Sequence, residues 1–325
     1  MTRLVALAVA FAAAVLLLPV REAAAQAFPT RPITVVVPYP PGGPTDVVAR
    51  VLADHMRGTL GQTVVVENVS GGSGNIGVGR VARASPDGYT LSLGNSGSHL
   101  LNAALYTLPY DLIADFVPVA LLATNAQLIV ARKTMPASDL AGLIAWLKAH
   151  PDTATAGIAG AVAHVSAVYF QNRTATHVTL VPYRGAAPAL QDLMGGQIDL
   201  MFDQVSNALA QARAGNVKAF AVTQKTRLAA APDIPTVDEA GLPGFYAARW
   251  QGLWAPKGTP PEVVAKLADA VAAALADPQV AQRLRDIGQD LPPPEQRNPA
   301  AFAAFEQAEA DKWWPIIKAA GLTGE

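Results

Sequence analysis

The most distinctive chemistry in this sequence is carried by backbone rather than by acids, bases or nucleophiles. Pro38-Tyr39-Pro40-Pro41-Gly42-Gly43-Pro44-Thr45-Asp46 stands between a β-branched run and a helical pattern. Gly43 suits the N-cap, and Pro44 suits the first helical position, where its missing N–H costs nothing. The N–H groups of Gly43, Thr45 and Asp46 then lack helical partners at the helix end where partial positive charge accumulates. That is the chemistry of an anion cradle, and the paired glycines let a ligand oxygen come close to the chain. A small carboxylate fits it, although the same residues also suit an ordinary strand-to-helix turn.

Three further segments invite a chemical reading. Gly72-Ser73-Gly74-Asn75-Ile76-Gly77 is a literal G-x-G-x-x-G. A dinucleotide site wants an acid about 20 residues on, and the chain has Gly94 and Asn95 there, so close packing of helix on sheet explains these glycines better. Asn95-Ser96-Gly97-Ser98-His99 follows a strand, at the edge where open α/β sheets bind ligands. Gly157 to His164 has the same strand-to-helix position, and Gly160 to Ala163 would present free N–H groups across a cleft from the first loop. The five histidines, His55, His99, His150, His164 and His177, have no metal-ligand spacing and no cysteine companion. Ser98, His99 and Asp203 could be imagined as a triad, but no G-x-S-x-G or S-x-x-K accompanies them. Trp313-Trp314 reads as core packing.

These loops need a scaffold that puts them at one edge. β-branched runs alternate with helical patterns: strands Ile33 to Val37, Val64 to Val66 and Tyr89 to Leu93 enclose helices Asp46 to Arg57 and Ile76 to Ala84. A second series has strands at Leu128 to Ala131, Thr153 to Gly157, Val178 to Val181, Ile198 to Phe202 and Val217 to Val222. Its helices are expected at Ser138 to Ala149, Val162 to Gln171, Ala186 to Met194 and Val205 to Ala214. One strand, Trp250 to Ala255, and helices Pro260 to Ala276 and Phe302 to Ala320 complete the chain. Helices without new strands dress an existing sheet, so this last part is expected to return to the first lobe. The expected units are residues 28–122 with 250–325 as one domain and 123–249 as the other, crossing near Leu122 to Asn125 and Ala247 to Trp250.

Arg3, the apolar run Leu4 to Val20 and small residues at Ala23, Ala25 and Ala27 read as a secretory signal peptide over residues 1–27, cut after Ala25 or Ala27. Arg21 and Glu22 close the run short of a membrane span. With 24 basic and 25 acidic residues and no basic run, nucleic acid and acidic membrane surfaces are poor partners. There is no cysteine, hence no disulfide framework and no lipidated N-terminus, and about 300 mature residues bury enough surface for two domains. No cofactor is expected.

Taken together, these segments resemble the Bug-type receptors of the tripartite tricarboxylate transporter family over nearly the whole mature chain. The resemblance rests on Pro29 to Ile33, Pro38 to Asp46, Glu67-Asn68 with Gly71 to Gly77, and Pro86 to Leu91. It continues through Leu108 to Asp111, Asp115-Phe116, Pro118-Val119, Pro182 to Gly185, Gly195 to Gln197 and Ile234 to Thr236. It implies an α/β, type II periplasmic binding protein fold whose two domains close on a ligand carboxylate. It further implies a monomeric periplasmic receptor, without enzymatic activity, that serves integral membrane transporter subunits. The pincer it implies is Tyr39, Gly42, Gly43, Thr45 and Asp46 against Gly160, Ala161, Ala163 and His164, with Asn95, Ser98, Tyr183, Arg184 and Asp203 in support. Ala161 departs from the Ser or Thr frequent at that place, so backbone groups must do more. Two alternatives stay open: an exported enzyme on small acids using Asp46 or His164 as base, and a sensor serving a signalling partner.

Overall fold

The computed structural model describes residues 28–183, 185–228 and 230–324, so the signal segment and Arg184 lie outside the described residues. β1 (Ile33–Val37) is followed by α1 (Pro44–Leu60), β2 (Val64–Asn68), α2 (Asn75–Ala82) and β3 (Thr90–Asn95), and β1 pairs in parallel with both β2 and β3. A π-helical turn at Gly97–Leu101 runs into the short α3 (Asn102–Leu105) and then into β4 (Phe116–Arg132). The middle of the chain gives α4 (Leu140–Ala149), β5 (Thr155–Ile158), α5 (Ala161–Thr174), β6 (Thr179–Pro182), α6 (Ala186–Met194), β7 (Leu200–Gln204), α7 (Val205–Arg213) and β8 (Val217–Val222). β9 (Ala248–Pro256), α8 (Pro261–Ala276), α9 (Pro278–Asp286) and α10 (Pro299–Ala319) follow. The strands run β2-β1-β3-β9-β4-β7-β5-β6, with β8 also on β4.

β4 is the spine of this arrangement. Its residues from Phe116 to Ala126 pair antiparallel with β9, and from Gln127 onward it pairs instead with β7 and β8. Sequence reading finds only the end of this strand, Leu128 to Ala131, because Val119 to Ala123 are all buried and show no alternation of polar with apolar residues. α9 is likewise absent from the sequence reading. It exists because Asp277 caps it, accepting from the N–H groups of Gln279 and Val280, with Pro278 at its first position.

The last helices return to β4, but not to one side only. α8 lies against α1, where Val48, Leu52, Leu267 and Val271 are buried in one apolar cluster. α10 begins with Phe302 packed beside Trp250 and Trp254 of β9 and, further along, sets Trp313 edge-on to Tyr169 of α5. Its buried Glu306 accepts from Trp254 Nε1 at 3.0 Å, and Glu309 accepts from Trp250 and Trp313 at 3.1 and 2.9 Å. Burial pushes the Glu306 carboxyl up to about 8. One apolar cluster therefore runs without a break from Val36 and Leu100 through Trp250 and Trp254 to Phe170 and Phe202.

The glycines of the G-x-G-x-x-G segment press α2 onto the loop after β1. A Cβ on Gly77 would stand 2.5 Å from the Val69 carbonyl oxygen and 3.0 Å from Pro38 Cα. Alanine is the better helix former by about 1 kcal/mol, yet overpacking against backbone costs about 1–3 kcal/mol. Gly77→Ala is therefore expected to lower stability in urea unfolding; an unchanged or higher midpoint would show that the loop yields freely.

Candidate functional site

The loop after β1 is held by its own acid. Gly43 caps α1 in extended conformation with Pro44 in the first turn, as the sequence implies, and Gly42 adopts φ +83°. The buried Asp46 accepts from Gly42 N–H and Arg50 Nε on one oxygen and from Asn68 Nδ2 on the other, each at 2.9 Å. Asn68 also donates to the Tyr39 carbonyl at 3.0 Å. Burial alone would raise the Asp46 carboxyl, but hydrogen bonds from Arg50, Gly42 and Asn68 outweigh it and hold it at about 2. Asp46 fastens the loop and leaves Tyr39 projecting from it.

Asn95 joins this loop to the one after β3. Its Oδ1 accepts from Tyr39 OH and Gly97 N–H, both at 2.9 Å, and more weakly from Ser98 N–H, while Nδ2 reaches Thr45 Oγ1 at 3.4 Å. Ser98 shares a 2.9 Å hydrogen bond with His99 Nδ1, and Ser92 shares one of 2.9 Å with Nε2. The imidazole stacks on Trp254 with centroids 3.9 Å apart, and burial pushes its pKa down to about 3. Both ring nitrogens are thus engaged by serines, so His99 is a neutral part of the core and Ser98, His99 and Asp203 do not form a relay.

Tyr39, Asn95 and Gly97 form one wall of a cavity of about 690 Å³, and Gly160, Ala161, Val162, His164 and Tyr183 form another. α5 opens at Gly160, which has φ +85° and provides no side-chain cap. A Cβ there would meet nothing within 4 Å, so conformation rather than crowding favours glycine. Tyr183 donates to Asp192 at 2.6 Å, which pushes its phenol up to about 12.

The structure divides the sequence candidates into groups. Tyr39, Asn95, Gly160, Ala161, His164 and Tyr183 face the cavity together. Gly42 lies with Pro44 beside a second cavity of about 510 Å³, against Val205, Asn207, Arg285 and Gly288. Gly43, Thr45, Asp46, Ser98, Ala163 and Asp203 line neither, and Arg184 is outside the described residues. Asp203 uses Oδ1 to accept from Gln204 N–H and Asn207 Nδ2, while its buried Oδ2 has no hydrogen-bond partner among the described residues. Burial pushes its carboxyl up, against the pull of Asn207, Gln204 and Arg249.

Several cavity residues escape sequence reading. Ser73 and Tyr106 share a 2.9 Å hydrogen bond at its edge, and Gly324 donates to the Leu105 carbonyl at 2.8 Å, bringing Thr323 and Gly324 into the wall. Arg249 of β9 also lines the cavity, partly exposed. Burial pushes its guanidinium down from its ordinary value, against Tyr39 and Asp203. The available signal was a lone charge near the start of a strand with no other charged residue, in a chain with only 15% charged residues.

Asp46 gives this loop a pH signature. Its depressed folded value contributes stability that is complete above the unfolded value of about 3.9 and disappears as pH falls through the folded value, on the order of 2–3 kcal/mol in all. Asp46→Asn is expected to lose about that much at pH 7 in denaturant unfolding. The gap to the parent protein should shrink below pH 4 and close near pH 2; a pH-independent gap would mean that the charge is not what holds the loop.

Residues 48–322 match the family model described as "Tripartite tricarboxylate transporter family receptor". The chain is 40% identical to the solved periplasmic binding protein BugD, covering 92% of this chain and 100% of that one with a TM-score of 0.75. It is 43% identical to MatC from Rhodopseudomonas palustris, solved with bound malate, over 89% of this chain and 100% of that one, TM-score 0.75. It is 35% identical to Rpa4515 of R. palustris, solved with adipate, over 91% and 99% of the two chains, TM-score 0.76. The fold agrees with these likenesses, and the chain belongs to the tripartite tricarboxylate transporter receptor family, as a solute-binding receptor of the periplasmic binding protein fold and not an enzyme.

Proposed function

We propose that this receptor captures a small carboxylate in the 690 Å³ cavity and passes it to the integral membrane subunits of a tripartite tricarboxylate-type transporter. The observation that carries this reading is the start of α5, where Gly160, Ala161 and Val162 border the cavity and no side chain caps the helix. N–H groups at a helix start, facing a ligand space, favour an anion. The relatives solved with malate and adipate support the same class.

Tyr39, Asn95, Gly160, Ala161, His164 and Tyr183 are the proposed contact residues. Gly42, Gly43, Thr45, Asp46, Ser98, Ala163 and Asp203 act behind them, and Arg184 rests on its place in the sequence. The receptor closes by motion of residues 28–122 with 250–325 against 123–249. The change of β4 partners after Ala126 supports that division. The receptor works as a monomer in the periplasm, reached through the export signal in residues 1–27.

Thermal unfolding of the protein without its signal, against malate, adipate and benzoate and the corresponding amides, tests the reading. At 100 times its dissociation constant a ligand adds about 2.7 kcal/mol, which for a chain of this size raises the Tm by on the order of 5 °C. At least one acid is expected to give that shift and its amide little, because an amide brings N–H donors to a place that already has donors. Equal shifts from acid and amide, or none across a wider panel of mono-, di- and tricarboxylates, would overturn it.

A further inference from the structure

Arg249 is the charged feature of the cavity, among the described residues, that the strand-to-helix loops do not explain. It sits opposite Asn125, one pair before the end of the β4–β9 ladder, so its backbone is fixed at the crossover. With the Gln204 amide turned so that its oxygen faces the guanidinium, Nε and Nη1 donate to Oε1 at 2.9 and 3.1 Å. Among the described residues no carboxylate comes within ion-pair distance of Arg249. Asp203, the neighbouring residue of Gln204, acts on it only at longer range and has spent Oδ1 on Gln204 N–H and Asn207.

A guanidinium has five N–H donors in a fixed fork, and Gln204 occupies two of them. A partly exposed guanidinium whose only close partner is neutral keeps most of its charge uncompensated, and it is stabilised when an anion arrives beside it. The fork matches the two oxygens of a carboxylate, and charge-assisted hydrogen bonds of this kind are the strong ones. Gln204 holds one edge of the guanidinium without neutralising it.

Resting on the carboxylate reading above, we propose that Arg249 is the residue that sets charge selectivity: it takes one carboxylate of the ligand through its open N–H edge, Gln204 orients it, and the uncapped start of α5 assists. The helix start discriminates acid from amide by partial charges. Arg249 does so by a whole one, and removing it should remove most of the discrimination.

The test compares affinities for acid and amide, because a residue that merely supported the cavity would weaken both alike. Malate, adipate and benzoate and their amides are titrated by calorimetry against the wild-type protein, Arg249→Gln and Arg249→Lys. The acid bound by wild type is expected to lose on the order of 100-fold in affinity in Arg249→Gln, while its amide changes by only a few-fold, so that the acid-to-amide ratio collapses. Arg249→Lys, which keeps the charge and loses the fork, should retain a preference for the acid. Arg249→Met, of similar reach, repeats the measurement if Arg249→Gln does not fold. A wild-type ratio in Arg249→Gln or Arg249→Met overturns the assignment while leaving the receptor reading intact. A wild-type protein that binds none of the acids in this or the wider panel overturns both.

Discussion

Antiparallel pairing between β4 and β9 extends from Phe116 opposite Pro256 to Ala126 opposite Ala248, and the groups around the cavity are located by reference to it. β3 hangs on β9 with Asn95 opposite Gln251, so the Asn95 hub and the Tyr39 it holds are fixed to one side of this pair. Beyond Ala126 the same β4 carries β7, and β7 carries β5, whose end leads to Gly160. Two loop systems far apart in sequence therefore meet at one place. Shifting β4 by one residue would turn its side chains to the opposite faces and carry β7 with it.

On this frame the polar groups divide into those whose hydrogen bonds are spent within the protein and those that keep donors toward the cavity. Asp46, His99 and Asn95 look chemical in the sequence, but their hydrogen-bonding capacity is largely spent on neighbouring strands and loops. Spending it there makes the loops rigid, which lowers the ordering cost of binding. Arg249 is treated in the opposite way, with an amide oxygen where a carboxylate could have stood. Two neighbouring positions on β7, Asp203 and Gln204, make that difference: the acid is turned to Asn207 and backbone, and the amide to the arginine.

Most of the fold was legible because it consists of repeated strand and helix patterns with short turns between them. The packing role of Gly77 could be read from its residue type, since a side chain there would meet backbone, and the N-cap at Gly43 from the Pro44 that follows it at the helix start. β4 was only partly legible, because a strand buried on both faces loses the alternation that identifies strands. The site was legible where it is made of loops next to strand ends and obscure where it depends on the crossover. Arg249 and Asn95 are 154 positions apart in the sequence and line one cavity because β9 lies between β3 and β4. The reach of α10 to Tyr169 is of the same kind, a consequence of where the sheets end up and not of any local pattern.

The tryptophans of β9 make the crossover an optical instrument. Trp250 follows Arg249 in the strand, its ring lies 6.0 Å from that of Trp254, and both indole N–H groups donate to glutamate side chains of α10. Strand alternation turns Trp250 to the face opposite Arg249, so a ligand in the cavity does not touch the indole. An anion that neutralises the guanidinium still alters the electric field across a ring one residue away. On the proposed binding at Arg249, a ligand's charge arrives one residue from this buried pair, and a change in their emission, over the background of Trp146, Trp313 and Trp314, would report it without a dye or an engineered label.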